Sequence, residues 1–273
     1  MIKKQKEEIV KHAVLKWQGE HPDKKYLDIK YRETIVLKGI GKVNIGREIS
    51  SLRNIYKSQQ EGTNNTENNL SKEAISWYTK QGMIWDYEAW QEKVYRHAVL
   101  KWQALHPEKK YLDIKKKEQI ELEGIGLINL GVLISVRRGI YNAMQQGQKY
   151  QTCKDLTEEQ ISWDEDHGMI WNYEAWQEKV YQNAVLEWKA IHPDRTNLDI
   201  SHKETINLDG IGTINIGQKI CLLRYTYKVQ IRGERNFKNL TEEQIAWYTE
   251  QGMIWDYKKY QEERKGKIYQ KKL

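Results

Sequence analysis

Three arginines recur at intervals of about 85 residues, and each lies in a segment predicted to be helical. A guanidinium group can hold a phosphate through two parallel hydrogen bonds, yet on a small module it often binds backbone carbonyls or a nearby carboxylate instead. Both roles stay open for Arg53, Arg138 and Arg224. Other basic residues on the same segments differ between copies and are further phosphate-binding candidates, against the alternative of a merely solvated face: Arg47, Lys57, Arg137, Lys219 and Lys228.

No residues show the spacing of a catalytic or metal site. Acidic pairs such as Glu158-Glu159 and Glu242-Glu243 fall in predicted first turns of helices, where the helix dipole favours negative charge. Three recurring histidines each precede a proline at a predicted helix end, and their separation rules out one metal site within a copy: His21, His106 and His192. We therefore predict no enzyme activity, no catalytic residues, no metal and no cofactor.

Six recurring tryptophans have two possible roles. They could stack on single-stranded bases, or they could fill the core of a unit that is small enough to need large aromatic side chains inside. Core packing is the preferred prediction, because the six occur where a helix or a helix end is expected: Trp77, Trp163, Trp247, Trp85, Trp171 and Trp255.

The chain repeats itself three times. Gly82-Met83-Ile84-Trp85 returns as Gly168-Met169-Ile170-Trp171 and as Gly252-Met253-Ile254-Trp255. We name the copies by their ranges: copy 1 is residues 1–86, copy 2 is 87–172, and copy 3 is 173–273 with a basic C-terminal tail. No Gly/Ser-rich linker separates them, so we predict three helical units joined as a rigid array.

Charge differs between the copies. The chain of 273 residues has a net charge of +7. Basic and acidic side chains number 16 and 11 in copy 1, 12 and 13 in copy 2, and 17 and 14 in copy 3. A polyanion should thus bind copies 1 and 3 more tightly than copy 2. Unrepeated cysteines, and the lack of a signal peptide or long apolar run, predict a cytoplasmic protein without membrane contact.

Each copy contains the signals for three helices and one hairpin. The first helix should begin at an N-cap such as Asp86 and end before His106-Pro107. A Gly-x-Gly flanked by β-branched residues follows, and its spacing fits a tight turn better than a dinucleotide fingerprint. A second helix from Arg47 to about Tyr56, a loop that is Asn-rich between Thr63 and Asn69, and a third helix opening at Leu70-Ser71 complete the pattern. The predicted fold is mainly α, with three tandem three-helix units, each carrying a short β-hairpin-like insertion.

The stretch from Gly46 to Asp86 resembles the bacterial helicase-associated domain, a small helical module found in tandem and in stand-alone bacterial and phage proteins. The resemblance covers nearly half of each copy. In copy 1 it rests on Gly46, Arg53, Tyr56, Gly62, Leu70-Ser71, Gly82, Trp85 and Asp86. In copy 2 it rests on Gly131, Arg138, Tyr141, Gly147, Leu156-Thr157, Gly168 and Trp171. In copy 3 it rests on Gly217, Arg224, Tyr227, Gly233, Leu240-Thr241, Gly252, Trp255 and Asp256.

The resemblance implies a three-helix module that binds nucleic acid. With the basic second helices it predicts a non-enzymatic nucleic-acid-binding protein, with DNA as the expected form. The weak charge of copy 2 supports an alternative, a phage or mobile-element interaction protein that binds and inhibits a host defence protein. A third alternative is sequestration of a small anionic ligand between units, for which the repeated arginines are the only support.

Overall fold

A computed structural model describes residues 3–63, 69–151, 153–234 and 239–270. The centre of the predicted Asn-rich loop, residues 64–68, and the end of the predicted basic tail, residues 271–273, lie outside the described residues. The described chain is mainly helical, with ten helices, a helix content of 55% and three antiparallel two-stranded hairpins. None of the described helices is both long and apolar enough to cross a membrane.

The order helix, hairpin, helix, helix occurs three times and is followed by a last helix. The helices are α1 (Lys3–Glu20), α2 (Ile45–Gln60), α3 (Lys72–Lys80), α4 (Tyr87–Leu105), α5 (Leu130–Gln145), α6 (Glu158–Asp166), α7 (Tyr173–Ile191), α8 (Ile216–Ile231), α9 (Glu242–Glu250) and α10 (Tyr257–Gln270). The strands are β1 (Ile35–Leu37), β2 (Gly41–Val43), β3 (Ile120–Leu122), β4 (Gly126–Ile128), β5 (Ile206–Leu208) and β6 (Gly212–Ile214). The mainly α class with hairpins is confirmed, while the arrangement as three tandem three-helix units in a rigid array stays a prediction.

Side-chain caps determine where the helices begin. Asp86 accepts a hydrogen bond from the backbone N–H of Ala89 at the start of α4, as predicted. Thr157 and Gln160 form a reciprocal capping box at α6. The predicted helix ends are also confirmed, because α4 stops immediately before His106-Pro107.

Glycines with positive φ form the hairpin turns. β1 pairs with β2 in antiparallel register, with Leu37 opposite Gly41, and Gly39 in the turn has a φ of 78°. This left-handed backbone costs glycine little, whereas other residues rarely adopt it. The Gly-x-Gly therefore serves as a β-turn, as predicted.

The chain forms two compact units. The first comprises Met1–His106 with Ile114–Arg137, and the second comprises Pro107–Asp113 with Arg138–Leu273. In the first, a core cluster forms around Trp17, Ile49 and Tyr78.

The core cluster of the second compact unit has the same residue types. It forms around Trp188, Ile220 and Tyr248. Large aromatic side chains and β-branched residues thus contribute much of the buried apolar surface, as small cores require.

One prediction is corrected, namely that the tryptophans of the third helices fill the core. Trp77, Trp163 and Trp247 are only half-buried. On α3 the buried residues are Ala74 and Tyr78, which are four positions apart and so share one helix face. Trp77 lies about 100° away from Tyr78 around the helix and packs against the edge of the core.

Candidate nucleic-acid interface

Arg53, the first of the repeated arginines, binds backbone inside the first compact unit. Its Nε donates to the carbonyl oxygen of Ile84 at 2.7 Å, and its Nη2 donates to the carbonyl oxygen of Leu27 at 2.8 Å. Its guanidinium carbon also lies 4.6 Å from the ring centroid of Tyr87. Arg53 thereby ties α2 to the chain segments that follow α1 and α3.

The same contacts recur around Arg224. Its Nε donates to Ile254 O at 2.9 Å and its Nη2 to Leu198 O at 2.6 Å, and its guanidinium carbon lies 4.2 Å from the ring centroid of Tyr257. Burial lowers the pKa of Arg224, and the side chain is only 7% exposed. Arg224 therefore joins two chain segments to its helix, and it presents little surface to a phosphate.

Arg138 makes two of the three corresponding contacts in the second compact unit. Its Nη2 donates to Leu112 O at 2.9 Å, and its guanidinium carbon lies 5.0 Å from the ring centroid of Tyr173. The Tyr173 hydroxyl donates to Asp113 at 2.7 Å, so arginine, tyrosine and aspartate form one connected set. All three repeated arginines therefore have structural contacts.

Two of the copy-specific basic residues also face protein. Arg137 is 8% exposed and pairs with Glu92 at 2.8 Å. Lys219 lies half-buried, with its Nζ 3.9 Å from Glu178 and 4.3 Å from the ring centroid of Tyr181. Each forms an internal ion pair where the sequence predicted an exposed phosphate contact.

The other three predicted residues of the second helices are exposed: Arg47, Lys57 and Lys228. Arg47 lies in the first turn of α2, where its backbone N–H donates to the Asn44 cap. These three residues therefore remain available for phosphate. Lys57 and Lys228 occupy equivalent positions of α2 and α8, whereas copy 3 has Gln218 where copy 1 has Arg47.

A basic tract that sequence reasoning missed lies between the first helix and the hairpin of each copy. Copy 1 has Lys30-Tyr31-Arg32, copy 2 has Lys115-Lys116-Lys117, and copy 3 has Ser201-His202-Lys203. All nine side chains are exposed. We call these three-residue segments the basic tracts.

Packed neighbours fix the backbone of the first basic tract. Glu33 accepts hydrogen bonds from the indole N–H of Trp17 and from the backbone N–H of Lys30. A Cβ on Gly46, in the first turn of α2, would lie only 1.9 Å from Lys30 O. Glycine is thus required for this close approach between the tract and the start of the helix.

The other two tracts are held in the same way. Glu118 accepts from Trp102, and Glu204 accepts from Trp188 and from Ser201 N–H. A Cβ would lie 2.0 Å from Lys115 O at Gly131 and 1.8 Å from Ser201 O at Gly217. Each basic tract is consequently a rigid, exposed segment beside the N-terminus of a second helix.

A sequence signal for these tracts does exist. Each follows Leu-Asp-Ile at Leu27, Leu112 and Leu198, immediately before a predicted strand. Tyr31, Ser201 and His202 interrupt the basic pattern when the copies are compared.

Comparison of this chain with protein-family models, with curated proteins and with solved structures finds no match. The resemblance of Gly46–Asp86 to the helicase-associated domain stays a prediction.

Proposed function

We propose that this protein is a non-enzymatic nucleic-acid-binding protein whose basic tracts contact phosphates, with DNA as the expected ligand. The observation that carries the proposal is the recurrence, at one position of every copy, of an exposed and rigidly held segment that contains at least one lysine, with two basic residues in copy 1 and three in copy 2. Arg47, in the first turn of α2, adds a further exposed cation beside the tract of copy 1. Lys57 and Lys228 are secondary candidates on the second helices.

Rigid positioning favours this use of the charges. A cation on a fixed backbone loses less conformational entropy on binding than one on a mobile loop. The N-terminus of a helix also carries partial positive charge, so it adds to the attraction of an anion. Two tracts, Lys30–Arg32 and Lys115–Lys117, belong to the first compact unit.

The distribution of charge within the tracts changes the expected ranking of the copies. Copy 2 has the lowest charge sum but the most basic tract, Lys115-Lys116-Lys117. Copy 3 has one lysine, Lys203, in its tract. If the tracts bind phosphate, copy 2 should contribute more than its charge sum indicates.

A binding titration with a matched charge control tests the proposal. Fluorescence anisotropy of a labelled duplex of about 20 base pairs should show binding by the parent at low salt. The variant K115A/K116A/K117A should bind at least about tenfold more weakly. The control K72A/K80A/K93A removes three other exposed lysines of the same compact unit, and it should lose little affinity. Equal losses in both variants, or no binding by the parent, would reject the proposal.

Binding of a host protein is the second candidate function, and one surface favours it. On α8, Leu222 and Tyr225 are 57% and 64% exposed, whereas copy 1 has Ser51 and Asn54 at the equivalent positions. Since copy 1 forms the same helix with polar residues there, the fold does not require this apolar pair. Exposed apolar pairs of this kind occur at protein contacts.

Grafting the residues of copy 1 onto α8 separates the two functions. The double variant L222S/Y225N should abolish recovery of a specific partner from nuclease-treated lysate and should leave duplex affinity unchanged. Partner recovery that persists in this variant would remove the support for this surface.

A further inference from the structure

The hairpin turns of copies 2 and 3 are covered by a loop of the preceding copy. Lys25 N–H donates to Gly124 O at 2.8 Å within the first compact unit. Lys110 N–H donates to Gly210 O at the same distance within the second. An aromatic residue follows each donor, and Tyr26 packs against Trp90 with ring centroids 6.1 Å apart.

The equivalent turn of copy 1 is open in the described part of the chain. A Cβ on Gly124 would lie 2.9 Å from the Lys25 side chain, and a Cβ on Gly39 would meet nothing within 4 Å. Ile40, at the tip of this turn, is 50% exposed, whereas its counterparts Ile125 and Ile211 are half-buried. The turn of copy 1 therefore resembles the covered turns of copies 2 and 3, but no loop among the described residues covers it.

The charge beside the turn also distinguishes copy 1 from copies 2 and 3. The residue before the turn glycine is Glu123 in copy 2 and Asp209 in copy 3. Lys110 pairs with Asp209, and this hydrogen bond lowers the pKa of the aspartate. In copy 1 the equivalent residue is Lys38, which is exposed and of opposite charge. A loop that brings a lysine would be repelled there, and one that brings a carboxylate would be attracted.

We propose that the turn of copy 1, formed by Lys38, Gly39 and Ile40, is a docking site for a protein loop that carries an acid where the internal loops carry lysine. The loop would donate a backbone N–H to Gly39 O and place its carboxylate beside Lys38. The partner is thus a protein with an exposed acidic loop.

Short peptides test directly whether the turn of copy 1 prefers a loop with an acid to a loop with a lysine. The probes are a peptide of residues 106–114 with its natural sequence and the same peptide carrying K110E. Chemical shifts of the ¹⁵N-labelled protein report binding at Gly39 and Ile40. The parent should prefer the K110E peptide by about fivefold, which is the scale of an exposed ion pair. The protein variant K38E should reverse this preference. The variant K42E changes a neighbouring exposed lysine of β2 and should keep the preference of the parent.

Three outcomes would overturn the proposal. They are an absence of shifts at Gly39 and Ile40 with either peptide, an unchanged preference in K38E, and shifts at these residues produced by duplex DNA but by neither peptide. The test is independent of the proposed phosphate contacts, because duplex binding through the basic tracts can fail while the peptide preference holds.

Discussion

The guanidinium of Arg53 donates from Nε to the backbone carbonyl of Ile84, joining the second helix of copy 1 to the segment that follows its third helix. The bond is 2.7 Å long and spans 31 positions of sequence. Arg224 and Ile254 repeat it in copy 3. The sequence left both phosphate binding and a structural role open for these arginines. In the structure their side chains bind backbone carbonyls and connect parts of the fold.

The first prediction concerns the hydrogen bonds of Arg224 to the backbone. Arg224→Ala should lower the free energy of unfolding by about 2–4 kcal/mol, because two carbonyl oxygens lose a charged donor. Lys228→Ala, on the exposed face of the same helix, should change it by less than about 0.5 kcal/mol. Urea denaturation measures both values. Equal stabilities of the two variants would show that Arg224 is not structural.

Close backbone approach gives the second prediction. Gly46→Ala should destabilise by about 3 kcal/mol or more, because the new Cβ would lie 1.9 Å from Lys30 O. Gly19→Ala is the matched control, since nothing lies within 4 Å of its Cβ position. That substitution should be neutral or slightly stabilising. Thermal melts that coincide for the two variants would contradict the close packing of the tract.

The third prediction compares the stability cost of removing a buried tryptophan with that of removing a half-buried one. Trp102 is 2% exposed, so Trp102→Ala should cost about 3–5 kcal/mol. Trp163 is half-buried and stacks on His167 with ring centroids 3.8 Å apart. Trp163→Ala should therefore cost clearly less in the same denaturation experiment. A larger loss of stability for Trp163→Ala would instead support a core position for the third-helix tryptophans.

Alkaline pH gives the fourth prediction. Burial, followed by a hydrogen bond to Asp28, raises the pKa of Tyr87 from 10.0 to about 12. The fold therefore favours the neutral phenol, and this stabilisation is complete below about pH 10 and is lost as the pH rises towards 12.

Stability measured from about pH 8 to pH 12 tests the effect. The parent should lose stability more steeply than Tyr87→Phe above the ordinary tyrosine pKa, because phenylalanine has no phenol to ionise. Parallel curves for the two proteins would contradict the assignment.

Much of the local structure could be predicted from sequence because its causes are local. Asp86 caps a helix, His106-Pro107 ends one, and the Gly-x-Gly forms a turn through short-range backbone chemistry. The choice between Trp77 and Tyr78 as the core residue could not be made in that way. It depends on which face of α3 meets the rest of the first compact unit, and a helix of 9 residues has too few positions to define that face by periodicity alone.

The candidate site was harder to predict because it depends on tertiary contacts. Arg53 and Arg47 look alike in sequence, and only the carbonyl groups around Arg53 assign it to the interior. The tract Lys115–Lys117 matters because a half-buried glutamate and a helix glycine fix its backbone. Glu118 directly follows the tract in sequence, but its hydrogen bond to Trp102 and the approach of Gly131 to Lys115 are contacts between separate segments that no local pattern predicts.

A salt titration of duplex affinity tests the central claim most directly. For the parent, the logarithm of the association constant should fall linearly with the logarithm of salt concentration. In K115A/K116A/K117A the slope should flatten by about 0.9 for each phosphate that the variant no longer neutralises. In the control K72A/K80A/K93A it should stay near the parent value. An unchanged slope in the tract variant, or a parent whose affinity does not depend on salt, would contradict phosphate binding by the basic tracts.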